Sequence, residues 1–251
     1  MREARIYNPL DKDHLAESIV REFFKGQLQP LPPPQSFSGA GIYALYYGGD
    51  FPLYGEISTS LKRFLTTRVG LAPQQPIPIY IGKSDPPGGR KGSFEQETTE
   101  ESEEQAQEVL AAKPKHRKLH ERLRQHATSI SMARNLKLHD FQCRYMLVDE
   151  IWVALGEARL VDWFKPVWNV LIEGFGSKVE GGGRATTARS VWDILHPGRK
   201  EILRIQVFPD AEEGIVTGLR EAQNITELRS AIKNHRDAKR QFRKGRSSGA
   251  V

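Results

Sequence analysis

A single cysteine, Cys143, stands among 251 residues, which excludes a disulfide framework and any zinc site built from paired cysteines. It lies in an alternating apolar stretch, where a small core hydrophobe is the ordinary reading. No apolar run approaches the roughly 18 residues of a membrane span, and the opening MREARIYNPLDKDH lacks the apolar centre of a signal peptide. The expectation is a cytoplasmic protein without a membrane partner. At this length a chain buries a sizeable core without metal or disulfide staples. No internal repeat is visible, and the 38% hydrophobic and 27% charged residues exclude fibrous or wholly disordered classes.

What the chain has is segregated charge. Between Glu95 and Glu108 there are seven Glu and no base, and without that tract the net charge of +6 becomes +13. From Arg229 to Val251 eight bases face one acid, Asp237. A basic body with pI near 9.4 suits a polyanion partner, because each neutralised phosphate releases condensed counterions. Ordinary solubilising charge is the competing explanation.

Hydrophobic spacing predicts a helix over Asp13–Lys25 ending at Gly26, followed by the stiff connector Leu31-Pro-Pro-Pro-Gln35. Strands are expected at Gly41–Tyr47, at Ile77–Gly82 and around Phe141–Leu147, and a helix at Ser58–Val69 between the first two. Residues 93–112 contain almost nothing to bury and read as a solvated insertion. Pro114 suits the first turn of a helix carrying Leu119, Leu123, Ala127 and Ile130. A further helix, capped by Asp149 or Glu150, should run to Lys165, where Pro166 stops it. A glycine-rich loop, Gly174–Arg184, follows. The last fifty residues read as a strand (Ile202–Phe208), a basic amphipathic helix (Thr226–Phe242) and a frayed tail. The expected division is an arm and connector over 1–35, a core over 36–200 with insertions at 48–76 and 93–112, and a C-terminal segment over 201–251.

Four elements place polar groups where packing prefers apolar ones. Gly41-Ile42-Tyr43 and Tyr80-Ile81-Gly82-Lys83 lie on successive strands, although strand tyrosines are usually half-buried packing residues. Arg122 and His126, four apart on a helix, point into one space about 6 Å apart along the axis. A basic helix that only meets solvent or phosphate remains an alternative, and His116, Arg117 and His120 offer a competing register or a bare histidine pair for a metal. Glu157 shares a stripe with Leu160, Val161 and Phe164, where a desolvated carboxylate needs a cation or donor, unless it only offsets the dipole of a first helical turn. Asn169 follows Pro166 and could simply bond a nearby turn.

In series, GIY, YIG, Arg-x-x-x-His, Glu and Asn resemble the GIY-YIG nuclease family in its full motif order. The tracts LHERLRQHATSI, WFKPVWN and LHPGR look further like its type II restriction endonucleases that cut the palindrome CCGCGG. The resemblance implies an α/β (α+β) fold, a small antiparallel sheet flanked by helices with N- and C-terminal helical decorations. It implies hydrolysis of double-stranded DNA, with Tyr43 acting at the attacking water, Tyr80 supporting the phosphate, Arg122 clamping it and His126 close enough to take the proton of Tyr43. Asn169 completes that catalytic set, Lys83 supports it, and Glu157 holds one Mg²⁺ per site, oxygen being the ligand a hard cation prefers. A phenol of ordinary pKa is about 0.1% ionised at pH 7, a deficit of about 4 kcal/mol that neighbours must supply. Arg184, Arg189, Arg199 and Lys200 around the glycine-rich loop are the expected DNA contacts, arginine being the bidentate reader of guanine. A palindromic target implies a homodimer. The competing functions are a repair or homing nuclease of the same family and a non-catalytic DNA-binding protein. The spacing of Tyr43 and Tyr80 departs from the family, which usually joins those strands by a short loop.

Overall fold

The computed structural model describes residues 11–55, 57, 76–84, 118–176, 189–199 and 212–247. In chain order these form α1 (Lys12–Lys25), β1 (Gln29–Pro30), β2 (Gly41–Tyr47), β3 (Pro78–Ser84), α2 (Lys118–Met132), β4 (Phe141–Leu147), α3 (Glu150–Phe164), α4 (Val167–Val170), α5 (Val191–Leu195), α6 (Glu212–Glu221) and α7 (Ile225–Ser247). The expected helix at 58–69, acidic tract at 93–112 and strand at 202–208 lie outside the described residues.

The four strands make one antiparallel sheet in the order β1-β4-β2-β3. β2 pairs on both sides and is covered on both faces, so its side chains are buried from Gly41 to Tyr46. The period of two in a strand sends Ile42, Ala44 and Tyr46 to one face and Tyr43 and Leu45 to the other. The first set, with Ile81, packs on Val20 and Phe23 of α1 and Val153, Leu160 and Phe164 of α3. The second packs with Leu119, Leu123 and Ile130 of α2 and with the aromatic cluster Trp168, Phe175 and Trp192. Cys143 is fully buried in this second core, where burial pushes its thiol up to about 12.

Caps fix the helix ends that aim the site. The Asp11 carboxylate accepts from the Asp13 amide at 2.8 Å. Asp149, rather than Glu150, caps α3 by accepting from Ile151 at 3.2 Å, and Lys165, at φ 43°, ends it before Pro166. The N-terminal segment is built into the core: α1 covers the sheet, and β1 extends it beside β4. Pro30, which has no N–H to donate, sits on that edge strand, where none is needed. Sequence periodicity also passes over α4, too short to show a stripe, and α6, whose Leu219 is buried. Among the described residues no helix is long and apolar enough to cross a membrane.

Candidate active site

Tyr43 points from the most buried strand of the sheet to α2, where its hydroxyl meets His126 Nε2 at 2.6 Å. His126 is the histidine that faces the sheet, while His120 packs edge-on against Phe37 and His116 and Arg117 lie outside the described residues. Tyr43 is 0% and His126 2% exposed. Burial pushes the Tyr43 phenol well above its usual value, the neighbouring Tyr80 adds to the rise, and the Arg122 guanidinium pulls against it. Burial likewise holds His126 well below the usual imidazole range, with Arg122 and then Arg199 adding to the effect. Both groups therefore rest neutral, joined by one hydrogen bond.

Tyr80, Arg122, Lys83 and Glu157 stand around this pair, each partly exposed. The Tyr43 and Tyr80 rings are 6.2 Å apart. Burial raises Tyr80 as well, opposed by Arg122 and reinforced by the Glu157 carboxylate, so two charges of opposite sign act on this phenol. Gly82 lies between the two tyrosines, and a Cβ there would overlap the Tyr43 hydroxyl. The last residue of YIG is bare because the first two catalytic candidates need the space. Lys83 Nζ is 3.9 Å from Glu157 Oε2. Glu157 sits in the third turn of α3, beyond the first turn where a carboxylate offsets the helix dipole.

Two of the expected site residues have partners the sequence did not show. The Asn169 side chain accepts from Ile81 N and donates to Ile81 O, both at 2.8 Å. Both ends of its amide are spent holding β3 between Tyr80 and Gly82, so it positions the strand rather than touching reactants. Arg199 is 7% exposed; its Nε donates to Asp193 Oδ1 at 2.7 Å and its Nη1 to the Phe175 carbonyl at 3.2 Å. Its guanidinium is committed to Asp193 and to backbone carbonyls of residues 174 and 175. Arg189 is half-buried near Asp193, whose carboxyl burial pushes up against the pull of Arg199 and, more weakly, of Arg189, while Arg184 and Lys200 lie outside the described residues.

The sequence offered no sign of what Arg199 holds. It grips residues 174–175 from one side, and from the other Arg122 Nη2 donates to the Gly176 carbonyl at 2.5 Å. Between them the Phe175 ring stacks on His126, with centroids 4.6 Å apart and planes at 21°. The glycine-rich segment thus begins as a wall of the site, fixed by two arginines.

The donor set suits a hard cation held sparingly. Among the described residues no three His, Cys, Asp or Glu cluster, and one partly exposed carboxylate, Glu157, faces the edge of β3. A single protein oxygen supplemented by waters and substrate phosphate is how Mg²⁺ is commonly held.

The chain's similarity to known proteins agrees with this arrangement. A family model described as the Eco29kI GIY-YIG domain matches residues 35–236. No curated protein matches.

Proposed function

The chain belongs to the Eco29kI GIY-YIG domain family, whose members are restriction-type DNA nucleases, and from that premise we propose that it is a site-specific type II restriction endonuclease. Its target on this reading is a short G·C-rich palindrome, CCGCGG, cut by a homodimer with one Mg²⁺ per active site. The observation that carries the reading is the buried 2.6 Å contact of Tyr43 with His126 behind the partly exposed Tyr80, Arg122 and Glu157.

That division assigns the work. The exposed groups meet substrate: Arg122 and Tyr80 take the scissile phosphate, which replaces the Gly176 carbonyl on the guanidinium. Glu157, with Lys83 beside it, holds the metal, which supplies charge stabilisation at the phosphoryl group when bound. The interior groups move the proton. A free phenolate at Tyr43 is disfavoured by burial, and so is an imidazolium at His126. A phosphate arriving at Arg122 changes the second penalty, because it cancels the positive charge that helps hold His126 neutral and favours a cation nearby. The attacking water then passes a proton to the Tyr43 oxygen as the Tyr43 proton moves to His126 Nε2. The phosphoryl group gains hydroxide as its bond to one ester oxygen breaks, the departing oxygen takes a proton from solvent water, His126 gains the proton of the attacking water by way of Tyr43, and Tyr43 never carries a full charge.

Glu157→Gln tests the metal role. It keeps size and hydrogen bonding but removes the charge, so digestion of a sequenced plasmid in Mg²⁺ should collapse while a gel shift in Ca²⁺ retains binding. Cleavage at the wild-type rate rules the role out. Sequencing the fragment ends of the wild-type digest gives the site and the bond cut, and sedimentation with a cognate duplex should show two chains per palindrome. A 1:1 complex that cuts both strands rules out the homodimer.

A further inference from the structure

We propose that the outer face of α7 is a second DNA contact, a backbone clamp that holds phosphates outside the cleavage site without reading bases. The proposal rests on the nuclease reading above.

Arg229, Lys233, Arg236 and Arg240 follow one another at intervals of four, three and four residues. On an α-helix these steps keep all four within about 60° of one stripe and spread them over about 16 Å of axis. The flanking side of the helix does the packing: Leu228 and Ile232, about 110° and about 70° round from the middle of the stripe, are buried in the core with Leu219 of α6. Arg229, Lys233 and Arg240 are exposed. A face meant only for solubility mixes signs and places Glu four residues before Lys or Arg. This one has no such pairing, and its single acid, Asp237, makes one surface contact of 3.7 Å with Arg240, the kind worth least. Charges of one sign, spaced along about 16 Å, match the four or five phosphates that one DNA strand presents over the same length.

The helix is also fixed beside the active site. His235, fully buried, donates from Nε2 to the Arg189 carbonyl at 3.0 Å. Arg236 lies 3.7 Å from Glu173 and 3.5 Å from the Val170 carbonyl. Residues 170–173 run directly between Asn169, which holds β3, and Phe175, which stacks on His126. A duplex seated with its phosphate at Arg122 would reach the stripe by way of Arg236, which already touches this segment.

The test is the triple variant Arg229→Gln, Lys233→Gln, Arg240→Gln, compared with wild type by fluorescence anisotropy on duplexes with and without the cleavage site. Calcium replaces magnesium, and salt runs from about 50 to 200 mM. Each lost phosphate contact lowers the slope of log affinity against log salt by about 0.9, so the triple variant should lose about 2 to 3 units on both duplexes alike. Cleavage by saturating enzyme should keep its wild-type rate, and the charge-retaining pair Arg229→Lys, Arg240→Lys should keep the slope. An unchanged slope in the triple variant overturns the clamp, as does a loss confined to the duplex bearing the site. If wild type shows no salt-dependent DNA binding, the nuclease reading itself has failed, and the clamp with it.

Discussion

Among the described residues the same chemical pair occurs twice, in different surroundings. At the site, the Tyr43 hydroxyl meets His126 at 2.6 Å beside Arg122, with Tyr80 and Glu157 close enough to act on the phenols. In the aromatic core, the Tyr54 hydroxyl meets His196, but every other partner is neutral. Trp168 Nε1 donates to Tyr54 at 2.7 Å, His196 Nδ1 donates to Asn135 at 3.0 Å, and Asn135 donates to the Leu195 carbonyl at 2.9 Å. That chain of donors runs one way and ends on backbone. A tyrosine–histidine bond is therefore no mark of catalysis by itself; the Arg122 guanidinium beside the first pair is what separates it from the second.

The largest effect expected from this contrast is on Tyr43→Phe. The ring still packs and the protein should fold, at a cost of about 1–3 kcal/mol for leaving His126 Nε2 without its partner. Cleavage in a single-turnover assay should fall about 10²–10⁴-fold. Activity above about a tenth of wild type would make the two pairs equivalent and remove Tyr43 from the proton path.

Tyr54→Phe should do the reverse. It strands both the Trp168 N–H and His196 Nε2, costing about 1–3 kcal/mol for each group left unsatisfied, which urea unfolding measures. Cleavage below the unfolding transition should stay at wild type. A selective loss of activity with stability intact would break the comparison from the other side.

The smallest effect is on pH dependence and sharpens it. Burial holds His196 at about 3, below the roughly 6.5 of an unfolded chain. Between those values the unfolded state binds a proton that the fold refuses. Stability contributed by this group is thus complete above pH about 6.5 and is lost as pH falls toward 3, at up to about 1.4 kcal/mol per unit. Burial lowers His126 and His235 in the same direction. Urea midpoints taken from neutral to mildly acid pH should fall, and His196→Gln should flatten the fall. A midpoint that rises with acid contradicts the buried neutral state.

The contrast also explains what could be read in advance. GIY and YIG announced their strands because branched and aromatic residues alternate there, and Gly41–Tyr47 appears with the expected bounds. Arg122, His126 and Glu157 were legible because a helix repeats every 3.6 residues and they interrupt or border its apolar stripe. The second pair was not legible: Tyr54 and His196 are 142 residues apart, in segments with no periodicity, and nothing local marks either as polar-bonded. Arg199 misled for a related reason. Beside glycines and other bases it has the look of a DNA contact, and only the fold shows that Asp193 and two carbonyls already hold it. Asn169 carried the ambiguity of a short amide after a helix stop, resolved by a strand 88 residues earlier in the chain.

The placement of Tyr43 on β2 bears on how the enzyme fails. That strand is bonded on both edges and covered on both faces, so its amides can meet solvent only when the sheet and its two layers come apart together. Slow deuterium uptake over residues 42–46 is the signature of such a segment. The Tyr43 hydroxyl has no local route to disorder, and on heating cutting activity should fall together with the global fold.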